Sequence, residues 1–338
     1  MKSPTILCVL NEDEKNDFLT SELWQKLNSQ SLPFEWVKTP LPEGTTIADH
    51  LARTGAEVLV SCWSTPALPK DLPVGGDGQL KYVCHLTGTV RNLIPRELIE
   101  RGLKSSNWGS GASRTVAEGG LLLILAALRR SNYWAVAMHR DGLWKDRWKV
   151  VTESLFGRSV GLHGFGAISR ELAKLLRPFG GKISTYSPSL SDEALEKAGV
   201  SRASTIDDLF SSNDVIVELA PLTPKTEGMV NEKILRLIKP GGVFVNVGRG
   251  AVVDEEALVR VASEGKIQVA LDVFTKEPLA VDSPLRGMPN VTLQPHIAGP
   301  TKDRRSDCGE VAVRNLEQYF AGQPMESEVT LDVYDRAS

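Results

Sequence analysis

The chain has 338 residues, 41% of them hydrophobic and 24% charged, and a net charge of −3. That length favours two domains, at roughly 100–200 residues each, and leaves ample apolar material for a core. A near-balanced charge excludes the electrostatic footprint of a protein that binds nucleic acid or an anionic membrane.

In chain order, Met1–Leu10 reads as a short strand segment rather than a signal peptide. Its apolar run, Ile6–Leu10, is brief and no small-residue cleavage site follows. Apolar residues at helical spacing predict a helix over Phe18–Asn28. Val58–Cys62 and Leu80–Leu86 are short apolar runs that predict buried strands. The Pro and Gly clusters TPLPEG and LPVGGDG mark surface loops. Pro95–Gly102 predicts a short helix, with Pro in its first turn and Gly at its end.

From Ala117 to Trp144 two consecutive helices are predicted. The first is apolar nearly all round, which places it in a core or at a subunit interface. Its longest apolar stretch, Gly119–Leu128, is about half the length that spans a bilayer. A βα series follows. Strands are predicted at Ser159–His163, Lys182–Tyr186, Val215–Leu219, Gly242–Asn246, Gln268–Leu271 and Val291–Gln294. Helices are predicted at Ile168–Pro178, Asp192–Ala198, Ile206–Ser211, Glu232–Ile238 and Glu255–Glu264. Such alternation gives a parallel sheet covered by helices. One more helix, Asp303–Phe320, and a short tail close the chain. They follow the end of the series, so the chain is expected to return there to its first domain.

Cys8, Cys62, Cys84 and Cys308 form no CxxC pair and no cluster of zinc spacing. Three of them lie in or beside apolar runs. Buried free thiols are expected, with no metal and a reducing, cytoplasmic setting.

Chemistry concentrates in the βα series. The strand Ser159–His163 runs into Gly164-Phe165-Gly166-Ala167-Ile168-Ser169 and then a helix. Gly164 suits a tight turn, and Gly166 lets the backbone approach a pyrophosphate at the helix N-terminus. Ser169 takes the third glycine's place and is small enough for helix–strand packing. A ribose-binding carboxylate is expected about 20 residues beyond the glycines. Ser187 stands there instead, and no Arg follows closely, so NAD and NADP both remain open. Arg249 follows a buried strand, with Gly248 and Gly250 beside it. Those glycines are read as clearing space for a bound molecule. Asp272 and Glu277 follow the next strand, and His296 the one after. Three successive strand ends thus deliver an arginine, carboxylates and a histidine toward one sheet edge, where ligands of parallel sheets bind. Arg grips carboxylates in two-pronged fashion. His moves a proton near neutral pH, and Glu can orient it.

Together these strings resemble the D-isomer-specific 2-hydroxyacid dehydrogenases. The matching pieces are Val116-Ala-Glu118, Gly161–Ser169, Ala220–Thr226, Asn246–Gly250, Leu271–Pro278 and Pro295–Ala298. Within that family the chain is similar to hydroxypyruvate/glyoxylate-reductase-like and phosphoglycerate-dehydrogenase-like members. The resemblance implies an α/β fold of two Rossmann-like domains with parallel sheets. The cofactor domain, 107–299, would be inserted into a substrate domain formed by 1–106 and 300–338. Arg249, Glu277 and His296 would be catalytic. NAD or NADP would contact Gly164, Phe165, Gly166, Ala167, Ile168, Tyr186, Ser187, Pro188, Leu219, Ala220, Pro221, Thr226, Val247, Gly248, Asp272 and Gly299. A small 2-hydroxy or 2-keto acid would contact Trp63, Thr87, Gly88, Thr89 and Arg249, and the active site would lie between the domains. The family is commonly dimeric through the region matching Ala117–Trp144. One departure is Arg91, where the family often has Asp, and its role is not assigned by the sequence. Two rival readings share this fold. One is a dinucleotide-sensing, corepressor-like interaction protein. The other is a dehydrogenase of formate or phosphite.

Overall fold

The computed structural model describes residues 5–28, 33–76, 78–145, 150–188 and 190–336. Met1–Pro4, at the start of the expected first strand segment, and Asp77 in the LPVGGDG loop lie outside the described residues. The chain divides into two compact units, Met1–Ala112 with Pro300–Ser338, and Ser113–Gly299.

The first unit opens with β1 (Ile6–Leu10), α1 (Glu12–Phe18), α2 (Ser21–Asn28), β2 (Phe34–Lys38) and α3 (Ile47–Thr54). It continues with β3 (Val58–Ser61), β4 (Tyr82–His85), α4 (Arg96–Glu100) and β5 (Lys104–Ser106). The strands form one parallel sheet in the order β2-β1-β3-β4-β5. The single helix expected over Phe18–Asn28 is two. A capping box starts α1: the Asn11 side chain accepts the Glu14 amide at 2.8 Å, and Glu14 accepts the Asn11 amide at 3.1 Å. The helix stops at Leu19, and the Thr20 hydroxyl accepts the Leu23 amide at the start of α2. α1 escapes a periodicity search because its sequence, EDEKNDF, is almost wholly polar.

The second unit begins with α5 (Ser113–Arg129) and α6 (Ser131–His139). Then come β6 (Val160–His163), α7 (Ala167–Leu176), β7 (Ile183–Tyr186), α8 (Asp192–Ala198), β8 (Ser201–Arg202) and α9 (Ile206–Ser212). The series ends with β9 (Val215–Glu218), α10 (Glu232–Leu235), β10 (Val243–Asn246), α11 (Glu255–Ser263), β11 (Gln268–Leu271) and β12 (Val291–Leu293). All seven strands are parallel, in the order β12-β11-β10-β9-β6-β7-β8. The series has one strand more than expected. β8 is two residues long, too short to leave a pattern.

The continuous apolar runs follow from burial on both faces. Val243 and Val245 of β10 pack with α5 and α7, and Phe244 between them packs with α9, α10 and α11. α5 is less completely enclosed than its composition suggests, since Leu122 is 53% exposed. The chain then returns to the first unit through α12 (Arg305–Phe320) and a final α13 (Leu331–Arg336), where only a tail was expected.

Candidate active site

β6 and β9 are neighbours whose connections leave in opposite directions, and the crevice at their carboxyl ends is the expected ligand site of such a sheet. β6 is followed by Gly164, at φ +85°, which a side chain would oppose: a Cβ there would lie 2.9 Å from Ala220 Cα. The Gly164 amide donates to the Tyr186 carbonyl at 3.0 Å, and its carbonyl accepts the buried Ser169 hydroxyl at 2.9 Å. Gly166 is the N-cap of α7 and gives it no side-chain cap. A Cβ at Gly166 would meet nothing within 4 Å. An uncapped helix N-terminus with open space beside it fits a pyrophosphate, since the first N–H groups and the dipole both favour an anion. The segment after β9 is ordered by its own threonines: Thr226 Oγ1 donates to the Pro221 carbonyl at 2.6 Å and accepts the Thr223 amide at 2.8 Å.

Three loops at the carboxyl ends of β10, β11 and β12 carry the candidate catalytic residues Arg249, Glu277 and His296. After β10, the Asn246 side chain clamps the turn, accepting the Gly248 amide at 3.0 Å and donating to the Arg249 carbonyl at 3.1 Å. Burial holds the Arg249 guanidinium below its ordinary range, and the Glu277 carboxylate opposes that shift. The glycines beside Arg249 do not clear space for a ligand. A Cβ on Gly250 would fall 1.9 Å from the Phe274 carbonyl carbon, and one on Gly248 would fall 3.0 Å from the Glu218 carbonyl oxygen. Neighbouring backbone requires glycine at 250 and packs tightly on Gly248.

After β11, Glu277 turns back: one carboxylate oxygen accepts the Phe274 amide at 3.0 Å and the other meets His296 Nδ1 at 2.7 Å. The His296 ring stays half-exposed. A cavity of about 670 Å³ adjoins the pair, lined by Phe274, Leu279, Leu293, Pro295 and others of the same unit. His296 has φ +55°. Asp272, 1% exposed, holds that loop: its carboxylate accepts the Ile297 amide at 2.8 Å and the Ala298 amide at 3.0 Å. Gly119 of α5 backs the same loop, for a Cβ there would lie 2.7 Å from Ala298 Cβ.

In the first unit, β4 ends in the turn Thr87-Gly88-Thr89. Trp108 packs on Gly88, the Thr87 carbonyl accepts the Trp108 amide at 3.1 Å, and the Gly88 carbonyl accepts Asn107 Nδ2 at 2.7 Å. His85 props the turn from below, with Nε2 2.6 Å from the Thr87 hydroxyl and Nδ1 3.0 Å from that of Ser61. Burial pushes its pKa down to about 4. Trp63, 53% exposed, stands edge-on to Phe18 with the Arg305 guanidinium 5.1 Å from its ring. The Arg91 amide donates to the Thr89 hydroxyl at 3.4 Å, but its side chain leaves the turn. Its Nε donates to the Tyr334 carbonyl at 2.9 Å and Nη2 to that of Asp335 at 2.7 Å, so it caps α13.

Two features of the second unit escape a motif search. His163 and Glu218 are register partners on β6 and β9, bonded at 2.5 Å and almost wholly buried. The other Glu218 oxygen accepts the Ala220 amide at 2.8 Å, beneath the nucleotide loop. Arg202 of β8 reaches the segment after β7, its Nη1 3.4 Å from the Ser187 carbonyl. No arginine follows Ser187 closely in the sequence, but Arg202, 15 residues on, stands near it in the fold. A register bond across strands brings it there, which linear distance does not reveal.

All four cysteines are free and buried, and burial raises their thiols, that of Cys84 to about 11 and that of Cys308 to about 12. Among the described residues, no cluster of His, Cys, Asp and Glu could hold a metal ion, and no helix is long and apolar enough to cross a membrane.

Residues 121–298 match the model of the D-isomer specific 2-hydroxyacid dehydrogenase NAD-binding domain. The chain is 34% identical over 227 residues to a glyoxylate/hydroxypyruvate reductase A of Arabidopsis thaliana, covering 67% of this chain and 71% of that one. It is 32% identical over 254 residues to a D-3-phosphoglycerate dehydrogenase of Methanocaldococcus jannaschii. That match covers 75% of this chain and 48% of the relative, so the chain spans about half that relative's length. A solved glyoxylate reductase from Paecilomyes thermophila aligns with a TM-score of 0.79 at 25% identity, covering 97% of this chain and 99% of that one.

Proposed function

The chain belongs to the D-isomer specific 2-hydroxyacid dehydrogenase family, and from that premise we propose that it interconverts a small 2-oxo acid and its D-2-hydroxy acid. Glyoxylate and hydroxypyruvate are the proposed substrates, by analogy with the reductases it resembles. Residues 107–299 are the proposed cofactor domain, and 1–106 with 300–338 the proposed substrate domain; the compact unit Ser113–Gly299 supports that division, with its first boundary six residues later.

A bound nicotinamide cofactor, NAD or NADP, supplies or accepts the hydride. Gly164–Ile168 would receive its pyrophosphate at the N-terminus of α7. Tyr186, Ser187 and Pro188 would face the ribose. Leu219, Ala220, Pro221, Thr226, Val247, Gly248, Asp272 and Gly299 would line the remainder of its path. Arg249 would grip the substrate carboxylate and polarise the ketone, stabilising charge where it develops. On the first unit, Trp63, Thr87, Gly88 and Thr89 are the proposed substrate contacts. His296, held through Nδ1 by Glu277, would deliver a proton from Nε2 to the carbonyl oxygen in reduction and take it back in oxidation.

One observation carries the reading: an accessible imidazole fixed at 2.7 Å by a carboxylate, at the same sheet edge as a largely desolvated arginine. A homodimer through the region Ala117–Trp144 is proposed too, because Leu122 of α5, Met138 of α6, and Leu143 and Trp144 after α6 leave apolar surface exposed there. Four buried free thiols support a reducing, cytoplasmic setting.

The test is a panel of 2-oxo acids, formate and phosphite with each cofactor. Turnover of glyoxylate or hydroxypyruvate is expected. Tight cofactor binding with no turnover would favour a dinucleotide sensor, and turnover of formate or phosphite alone would refute the substrate class.

A further inference from the structure

Building on the dinucleotide reading, we infer that Arg202 reads the ribose 2′ position and makes NADPH the preferred cofactor. Ser187 follows β7 at the place where a carboxylate would accept the ribose hydroxyls of NAD and repel a 2′-phosphate. A neutral hydroxyl does neither. Arg202 lies 15 residues further on, yet it pairs with Thr185 in the sheet, two residues before Ser187. Its guanidinium spans the segment that leaves β7: Nη1 lies 3.4 Å from the Ser187 carbonyl, Nη2 2.6 Å from that of Leu190, and Nε 2.6 Å from Asp192 Oδ1.

These bonds hold the guanidinium against the segment that the dinucleotide reading assigns to the ribose. A planar fork of five N–H donors suits a phosphate. The three contacts engage one N–H each, which leaves two donors among the described residues. Asp192 is the competing anion. Its side chain is 87% exposed, so solvent screens the pair and a dianionic phosphate can supplant it. A guanidinium serving only to staple the loop would make the same carbonyl bonds. It would not separate the two cofactors, which differ only at the 2′ position.

The experiment measures equilibrium dissociation constants of the full chain for NADPH and NADH, by quenching of tryptophan fluorescence or by calorimetry. The wild type should bind NADPH about tenfold more tightly, within the range of a hydrogen bond to a charged group. Arg202→Gln should raise the NADPH constant by about tenfold and change the NADH constant by less than about twofold. That substitution also removes the carbonyl bonds, so a second variant keeps the test decisive. Asp192→Asn leaves Arg202 and both carbonyl contacts in place and removes the competing charge. It should tighten NADPH by about threefold and leave NADH unchanged. Equal shifts for both cofactors in Arg202→Gln, or weaker NADPH binding in Asp192→Asn, would overturn the inference and leave the proposed function standing. A wild type that binds neither cofactor would overturn both.

Discussion

His296 hangs on Asp272. The His296 amide donates to the Asp272 carbonyl at 2.8 Å, and the next two amides donate to the two oxygens of the Asp272 side chain. Three bonds to one residue hold His296 at φ +55°, a region that residues other than glycine rarely occupy. Such conformations cost about 1–3 kcal/mol and persist only where the surroundings impose them. The imidazole is therefore aimed from two sides, by Asp272 through the backbone and by Glu277 through Nδ1.

Asp272→Asn tests the backbone half of that arrangement. The amide group would set an NH₂ against a buried N–H, which costs about 1–3 kcal/mol. The expected result is a lower melting temperature together with turnover reduced by about tenfold. Cofactor affinity should change less than turnover. A variant with lowered stability and normal turnover would reduce Asp272 to a structural residue.

Arg249→Lys conserves charge but not the two-pronged grip on a carboxylate. The 2-oxo acid KM should rise and kcat fall together, giving a loss of about a hundredfold or more in kcat/KM, the cost of a charge-assisted pair. Steady-state kinetics over a range of substrate concentrations decides it. Normal kinetics in the variant would remove Arg249 from the site.

Much of this site is legible in the sequence, and the reason is physical. Strands buried on both faces are short apolar runs, so Gln268–Leu271 is bounded correctly from its composition. Ligands of parallel sheets bind at the carboxyl ends of such strands, which makes Arg249, Glu277 and His296 readable as one candidate group. β2 is not readable, because its residues are only partly buried and FEWVK carries no clean alternation. α3 could have been found: Thr46 and Asp49 make a capping box ahead of it. The roles of Asp272, Arg91 and Arg202 depend on backbone groups 10 or more positions away, which no local string encodes. The glycines around Arg249 show the converse error. Their local meaning was plain, but the atoms crowding them are Phe274 and Glu218.

His163→Leu would leave Glu218 buried with one oxygen unpartnered, and breaking a buried pair this way costs about 3–5 kcal/mol. Replacing both, as His163→Leu with Glu218→Leu, should recover most of the lost stability, because apolar isosteres of a buried pair are well tolerated. The Ala220 amide would still lack its acceptor. Cofactor affinity should therefore stay below wild type while the melting temperature recovers. Denaturation curves of the two single variants and the double variant check this, and a double variant worse than either single one would contradict it.

His85 gives the fold a pH dependence with a definite sign. Burial lowers its pKa from 6.5 to about 4, so the unfolded chain takes up a proton that the folded chain refuses. Its contribution is complete above about pH 6.5, is lost as pH falls toward 4, and changes no further below that. Between pH 7 and pH 5 the loss should approach about 2 kcal/mol. His85→Gln keeps polar contact with Ser61 and Thr87 and should remove that part of the slope. Urea midpoints at the two pH values, wild type against variant, measure it. Equal slopes would show that His85 titrates alike in both states.

If His296 moves the proton during hydride transfer, its loss must slow a single turnover. Enzyme saturated with reduced cofactor is mixed with glyoxylate or hydroxypyruvate, and nicotinamide oxidation is followed in wild type and in His296→Asn. Asn keeps a hydrogen bond to Glu277 but cannot relay a proton. The cofactor dissociation constant should stay within about threefold, while the transfer rate falls by about 10²–10⁴, the usual worth of general acid–base catalysis. A variant that oxidises its bound cofactor at the wild-type rate would remove His296 from the proton transfer.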